Sequence, residues 1–103
     1  MSMHIYLDDV TADELVQVGC VACIVMGFHG SPSEIHHMRD GVGIAQRSPD
    51  SRALPLCAAH HRTGGHGIAF HAGKQAFEQN YGTELNLLAL AHQEVMKIRQ
   101  NTV

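Results

Sequence analysis

The chain has 103 residues, of which 45% are hydrophobic and 17% charged, and its formal net charge is -3 at pH 7. A chain this short forms one domain with a limited core, which a metal or an oligomer interface would help to stabilise. No apolar run reaches the length of a membrane span, and the N-terminus lacks the basic and then apolar layout of a signal peptide. We therefore expect one soluble domain over residues 1–103, located in the cytoplasm and without a membrane partner.

The first predicted element is a short helix. Thr11 and Glu14 fit a capping box at its start, and Gly19 would end it. We expect the preceding residues 1–10 to form a flexible or loosely packed segment. The stretches "EIHHM" and "RALPLC" then predict two short strands separated by a loop over residues 40–50, and "CAAHHR" predicts a short helix.

Two further helices are predicted in the C-terminal third. "GKQAFEQNYG" reads as a helix that ends at Gly82, and Thr83 can cap a last helix running to about Gln100. An apolar stripe runs along this last helix. Core packing is the favoured interpretation of the stripe, and a homodimer formed through this helix is the alternative. The members of the stripe are Leu85, Leu88, His92 and Val95, widened by Leu87, Leu90 and Ala91.

Histidine and cysteine dominate the chemistry of the sequence. Six of the nine histidines lie between residues 36 and 71, and the same part of the chain is locally basic. The three cysteines cannot all pair within one chain, so a metal site explains them better than a disulfide framework.

Two short spacings predict a structural zinc site. Cys20 and Cys23 form a C-x2-C knuckle, and Cys57 and His60 repeat the spacing at the start of a predicted helix, where residues i and i+3 share a face. Four thiolate and imidazole ligands would close a tetrahedral shell and leave no open position for catalysis. The alternative is a set of buried free cysteines that act as small hydrophobic residues.

The remaining histidines are numerous enough for a second, open site. They are His36, His37, His61, His66 and His71. Neighbours in a regular strand point to opposite faces, so His36 and His37 could share one site only if the strand ends or bulges there. His61 lies about 100° round a helix from His60 and would point away from the structural zinc.

The order of these motifs resembles a known family. C-x2-C, "EIHHM", "DSRALPLCAAHH" and "GIAFHAG" together are similar to the zinc-containing HNH (His-Me finger, ββα-metal) nucleases, in particular the phage and prophage branch of Ref-like recombination nucleases. The resemblance covers roughly residues 13 to 95. It implies a small zinc-stabilised α+β domain of the ββα-metal type, with an N-terminal helix and C-terminal helices.

The resemblance also implies roles for single residues. The first histidine of the pair, His36, corresponds to a metal ligand, the second, His37, to the general base, and His61 to the final histidine of the HNH signature. The middle position of that signature is usually asparagine, which is absent here, and we assign it to Asp50. The "GxxFHxG" context favours His71 over His66 as a further ligand.

These assignments predict a metal-dependent DNA endonuclease. A general base would activate water, while a divalent ion (magnesium, manganese, zinc, cobalt or nickel) would offset charge on the phosphate and the departing oxygen. Four cations could contact phosphates without reading bases: Arg39, Arg47, Arg62 and Lys74. The family link implies a phage or prophage origin, a bacterial cytoplasmic location and a recombinase filament as a possible partner.

Two other functions are compatible with the sequence. A zinc-stabilised module derived from an HNH domain could bind DNA or protein without cutting, as the missing asparagine and the acidic net charge favour. The spare histidines favour catalysis instead. A zinc hydrolase acting on peptides or small amides would lack an H-E-x-x-H helix.

Overall fold

The computed structural model describes residues 7–38 and 49–101. These ranges form an α+β fold with a two-stranded sheet and several helices, which confirms the predicted fold class. Predictions for residues 1–6, for Arg39 and Arg47, and for most of the 40–50 loop lie outside the described residues. In chain order the elements are α1 (Ala12–Val18), α2 (Val21–Val25), β1 (Glu34–His37), a 3-10 turn (Asp50–Arg52), β2 (Ala53–Leu56), a π turn (Ala59–Thr63), a second 3-10 turn (Phe70–Ala72), α3 (Lys74–Tyr81) and α4 (Glu84–Asn101).

The predicted capping box sets the start of α1. The Thr11 hydroxyl accepts a hydrogen bond from the Glu14 amide at 3.2 Å, and Glu14 Oε1 accepts one from the Thr11 amide at 3.0 Å. The helix ends at Gly19, whose φ of 83° is readily adopted by glycine. A Cβ atom there would lie 3.0 Å from the Ser31 carbonyl oxygen, so glycine also permits a close backbone approach. Cys20 follows directly and caps α2.

The sheet is a regular antiparallel pair. Its register aligns His36 with Leu54 and His37 with Ala53, with no extra residue in either strand. Successive side chains of a regular strand point to opposite faces, so His36 and His37 do so here. Pro55 lies within β2, where a two-stranded sheet tolerates a residue without an amide hydrogen.

The helix predicted from "CAAHHR" is a wider turn in the structure. The His61 amide donates to the Cys57 carbonyl at 2.8 Å, as in an α-helix, but the Gly64 amide reaches back five residues to the Ala59 carbonyl at 2.9 Å. The backbone closes tightly at this point, because a Cβ atom on Gly64 would lie 2.5 Å from the Ala59 oxygen. Single π turns of this kind are frequent at functional sites.

The core lies between the sheet and the helices, and α4 packs against α1, α2 and β2. Leu88, His92 and Val95 of the apolar stripe are buried, whereas Leu85 is 53% exposed, so most of the stripe packs within the chain. Within residues 7–38 and 49–101, no helix combines the length and apolar character needed to cross a membrane.

Residues 7–10 differ from the loose segment expected at the N-terminus. Val10 is buried in the core, and the Leu7 amide donates to Nδ1 of the buried His92 at 2.8 Å. The Val10 side chain thus belongs to the core, and the Leu7 amide attaches this part of the segment to α4.

Candidate metal centres

Three cysteines and one histidine converge on one point. Cys23 Sγ and Cys57 Sγ are 3.9 Å apart, and His60 Nδ1 lies 3.5, 3.5 and 3.1 Å from the sulfurs of Cys20, Cys23 and Cys57. Tetrahedral zinc, with bonds of about 2.3 Å to sulfur and about 2.0 Å to nitrogen, requires separations of about 3.8 Å between sulfurs and about 3.5 Å from sulfur to nitrogen. The four residues therefore fit a structural metal ion, as predicted.

The fold brings these ligands together from two parts of the chain. Cys20 caps α2 and its sulfur accepts from the Cys23 amide at 3.4 Å, which turns both thiols the same way. Cys57 follows β2, and His60 lies one turn further on. The Tyr81 ring contacts the His60 ring edge-on at 4.8 Å. The two half-sites thus connect α2 to the segment that follows β2.

Burial determines the protonation of this cluster in the absence of a metal ion. Burial raises the pKa of the Cys20 thiol to about 12, so this thiol would be protonated at neutral pH without a cation nearby. Burial also lowers the pKa of His60, which keeps the imidazole neutral and able to act as a ligand. A metal ion would stabilise the thiolate form, and its binding would therefore contribute to folding.

A second cluster consists of His36, His61 and His71, with one ring nitrogen of each within 4.8 Å of the others. The Nε2 atoms of His61 and His71 are 2.9 Å apart. Two nitrogens bound to one ion at about 2.0–2.1 Å would be separated by about 2.9–3.4 Å. His36 is buried, His61 half-buried and His71 exposed, so the cluster opens toward solvent on the side of His71. This donor set can hold a divalent ion with open positions.

Two carboxylates that the sequence motifs do not predict lie behind this cluster. Glu34 Oε1 is 2.8 Å from His61 Nδ1, and Glu84 Oε2 is 3.0 Å from His36 Nε2. A carboxylate hydrogen-bonded to the outer nitrogen of a ligating histidine fixes the tautomer and the ring orientation. Glu34 lies two residues before His36, a local signal that could have found it, whereas Glu84 lies 48 residues from His36.

Both carboxylates are held in the charged form. Hydrogen bonds from Arg62 first, and then from His61, lower the pKa of Glu34 to about 2. The hydrogen bond from His36 lowers the pKa of Glu84 despite the opposing effect of burial, and Lys74 adds a smaller contribution. Each is therefore ionised at neutral pH and accepts a hydrogen bond from its histidine.

His37, the second histidine of the pair on β1, has a partner outside the cluster. His37 Nε2 lies 3.0 Å from Asp50 Oδ1, and the two side chains are 35% and 42% exposed. Asp50 begins the first 3-10 turn, whose Ser51 carbonyl accepts a hydrogen bond from His92 Nε2 at 3.1 Å. The structure thus joins His37 to Asp50 but does not include His37 in the three-histidine cluster.

The predicted phosphate contacts and the further ligand can also be located. Arg62 forms a two-point ion pair with Glu34 at 2.8 and 3.0 Å, and Lys74 Nζ lies 3.3 Å from Glu84 Oε1. Arg39 and Arg47 lie outside the described residues. Of the two candidates for the further ligand, the structure brings His71, and not His66, to the cluster.

The fold and these clusters define a small α+β protein with a Cys3His group that can hold a structural metal. Residues 8–96 match the sequence profile of the family described as recombination enhancement, RecA-dependent nuclease, and the chain belongs to that family. This membership indicates a nuclease role in recombination. Among individually curated proteins, none matches this chain.

Proposed function

We propose that the protein is a metal-dependent DNA endonuclease of the HNH type that hydrolyses phosphodiester bonds. The observation that carries this proposal is the convergence of His36, His61 and His71 beside a closed Cys3His cluster. A purely structural role needs one closed site, whereas a second donor set that opens to solvent is suited to catalysis.

The metal chemistry follows from the donors. His36, His61 and His71 would hold the divalent ion, which supplies positive charge for a phosphate oxygen and for the departing 3′ oxygen. Three imidazoles suit zinc, manganese, cobalt or nickel better than magnesium, which prefers oxygen ligands. The closed cluster would keep its own zinc as a structural ion.

We assign His37 as the general base and Asp50 as the residue that orients it. A carboxylate can only accept, so His37 donates from Nε2 and its Nδ1 keeps a lone pair that can take a proton from water. His37 and His36 are neighbours on β1, which pairs with β2 along one edge. A phosphodiester lying along the other edge of β1 could contact both faces of the strand.

DNA is the proposed substrate, with weak preference for sequence. Arg62 and Lys74, whose side chains are 57% and 47% exposed, would contact phosphates while remaining near Glu34 and Glu84. Arg39 and Arg47 would add charge from the segment between the strands. We further propose a recombinase filament as partner, a phage or prophage origin and action in the bacterial cytoplasm. A homodimer through α4 stays a prediction.

A cleavage assay tests the proposal. Supercoiled and single-stranded DNA are incubated with the protein and different divalent ions, with and without a recombinase filament. His37→Ala should lower the cleavage rate about 100-fold or more while the fold and the structural zinc are retained. His66→Ala is the matched control, because His66 is exposed and outside the cluster, and should cut like the parent. Equal cutting by folded, zinc-bound His37→Ala would contradict the proposed base.

One observation favours a second candidate, a zinc-stabilised module that binds DNA or protein without cutting. His36 and His37 point to opposite faces of a regular strand, so no bulge brings both imidazoles into one cleft. Metal stoichiometry separates the two functions. One tightly held ion per chain, with no second divalent-ion site, would support the binding module, and two ions would support the nuclease.

A further inference from the structure

His36 forms a buried pair with a carboxylate from the C-terminal helix. Glu84 Oε2 lies 3.0 Å from His36 Nε2, and the two side chains are 6% and 5% exposed. A charged carboxylate buried to this extent is strongly unfavourable unless its oxygens find partners. The second oxygen, Oε1, has one in Lys74 Nζ at 3.3 Å. Both carboxylate oxygens are therefore used.

The backbone around Glu84 holds this carboxylate in place. Glu84 is the first residue of α4, where the helix dipole favours a negative side chain. Its amide donates to Glu78 Oε2 of α3 at 3.0 Å, so a side chain of the preceding helix fixes the start of α4. The position of the carboxylate is thus set by two helices and not by a mobile loop.

This pairing determines which nitrogen His36 presents to the cluster. An ionised carboxylate only accepts, so His36 donates from Nε2 and keeps the lone pair on Nδ1. The Phe70 ring lies 4.3 Å from the His36 ring and packs against it, which limits rotation of the imidazole. Turning the ring over would break a hydrogen bond that water cannot replace at this depth.

We infer that Glu84 is a positioning residue for the second metal site: it fixes the tautomer and orientation of His36 so that Nδ1 faces the ion. The inference rests on the proposed function, in which His36 holds a divalent ion. It also gives α4 a role beyond core packing, because the helix carries the partner of a ligand on β1. Such partners of ligating histidines typically change metal affinity about 10- to 100-fold.

Metal titration of matched variants tests this role without an activity readout. Protein that already holds one equivalent of zinc is titrated with Co²⁺, and the visible absorption of nitrogen-ligated cobalt is followed without the thiolate band of the Cys3His site. Glu84→Gln should weaken cobalt binding about 10- to 100-fold. Glu94→Gln is the matched control, since Glu94 is also on α4 and pairs with Lys97 and His29 instead.

Thermal unfolding of each variant separates a positioning role from loss of the fold. Glu84→Asp serves as a second variant, because it keeps the charge but retracts the carboxylate from His36, and it should also bind cobalt more weakly than the parent. Parent-like cobalt affinity in both Glu84 variants would overturn the inference while leaving the proposed function intact. Absence of a second cobalt site in the parent would overturn the proposed function and the inference together.

Discussion

Glu34 Oε1 lies 2.8 Å from His61 Nδ1 and 2.8 Å from Arg62 Nε, so one carboxylate oxygen accepts from two consecutive residues of the π turn. The second oxygen accepts from Arg62 Nη2 at 3.0 Å. Glu34 begins β1, so this contact connects the first strand to the π turn that follows β2. His61 must donate from Nδ1, which leaves the Nε2 lone pair directed toward His71.

The orientation of His61 leads to a prediction for Glu34→Gln. The amide oxygen of glutamine can still accept from His61, but the negative charge that strengthens the hydrogen bond and the ligand is lost. We expect the second divalent ion to bind about 10-fold more weakly, with little effect on the structural zinc. Calorimetric titration with Co²⁺ or Mn²⁺ measures the affinity for the second ion, and metal analysis after dialysis measures the structural zinc. Glu94→Gln, which removes a carboxylate that pairs with Lys97 and His29 away from the cluster, is the control, and equal weakening in both variants would contradict the assignment.

Arg62 tests the proposed contact with phosphate. Its guanidinium is 57% exposed, so it can turn toward DNA while remaining near Glu34. Arg62→Ala should weaken DNA binding on all sequences alike and reduce the slope of log affinity against log salt by about 1. Fluorescence anisotropy at several salt concentrations measures the slope. Lys97→Ala removes a comparable exposed charge paired with Glu94 on α4 and should leave the slope unchanged. An unchanged slope for Arg62→Ala would exclude a phosphate contact.

Removing a ligand from one metal cluster should affect the stability of the fold differently from removing a ligand from the other. Cys57→Ala removes a ligand from the Cys3His site. The free energy of zinc binding at this site contributes to folding, so we expect the fold to be lost with the zinc. His61→Ala removes a ligand of the second site and should keep one zinc and a cooperative unfolding transition. Circular dichroism and metal analysis after dialysis measure both. A folded, zinc-free Cys57→Ala protein would show that the cluster does not stabilise the chain.

Local signals in the sequence predict most of the fold. Thr11, Glu14 and Gly19 set the bounds of α1 through contacts within a few residues, and Gly82 ends α3 as expected. The Cys3His cluster was also predictable, because each half-site is a short spacing at the start of a helical turn. Such features depend on neighbours along the chain, which a sequence displays directly.

The hydrogen-bond partners of the second cluster include contacts between residues far apart in the sequence. Glu84 meets His36 over 48 residues, and no spacing in the sequence marks it as a partner. The π turn likewise depends on the close approach of Gly64 to Ala59, which composition does not reveal. The packing of residues 7–10 was missed because His92 looked like a member of an apolar stripe, whereas its ring accepts from the Leu7 amide.

The contact between Glu14 and Arg99 gives a prediction about pH. Arg99 Nε donates to Glu14 Oε2 at 2.7 Å, and this hydrogen bond is the main reason that the pKa of Glu14 falls to about 2 from its usual 4.5. A carboxyl whose pKa is lowered by folding stabilises the native state above its unfolded pKa. That stabilisation is lost as the pH falls from 4.5 toward 2. Glu14 is partly exposed, so solvent screens the ion pair and limits its contribution.

Glu14→Gln isolates this charge, because glutamine can still complete the capping box with Thr11. We expect it to lower the free energy of unfolding by about 0.2–1 kcal/mol at neutral pH. The difference from the parent should stay constant down to about pH 5 and narrow as the pH falls below the unfolded pKa of 4.5. Urea unfolding of both proteins across this range measures it. The zinc content is determined at each pH, because acid protonates the cysteine and histidine ligands and releases zinc. Glu14→Ala, which also removes the cap, should cost more. A difference that widens on acidification would show that the charge of Glu14 does not stabilise the fold.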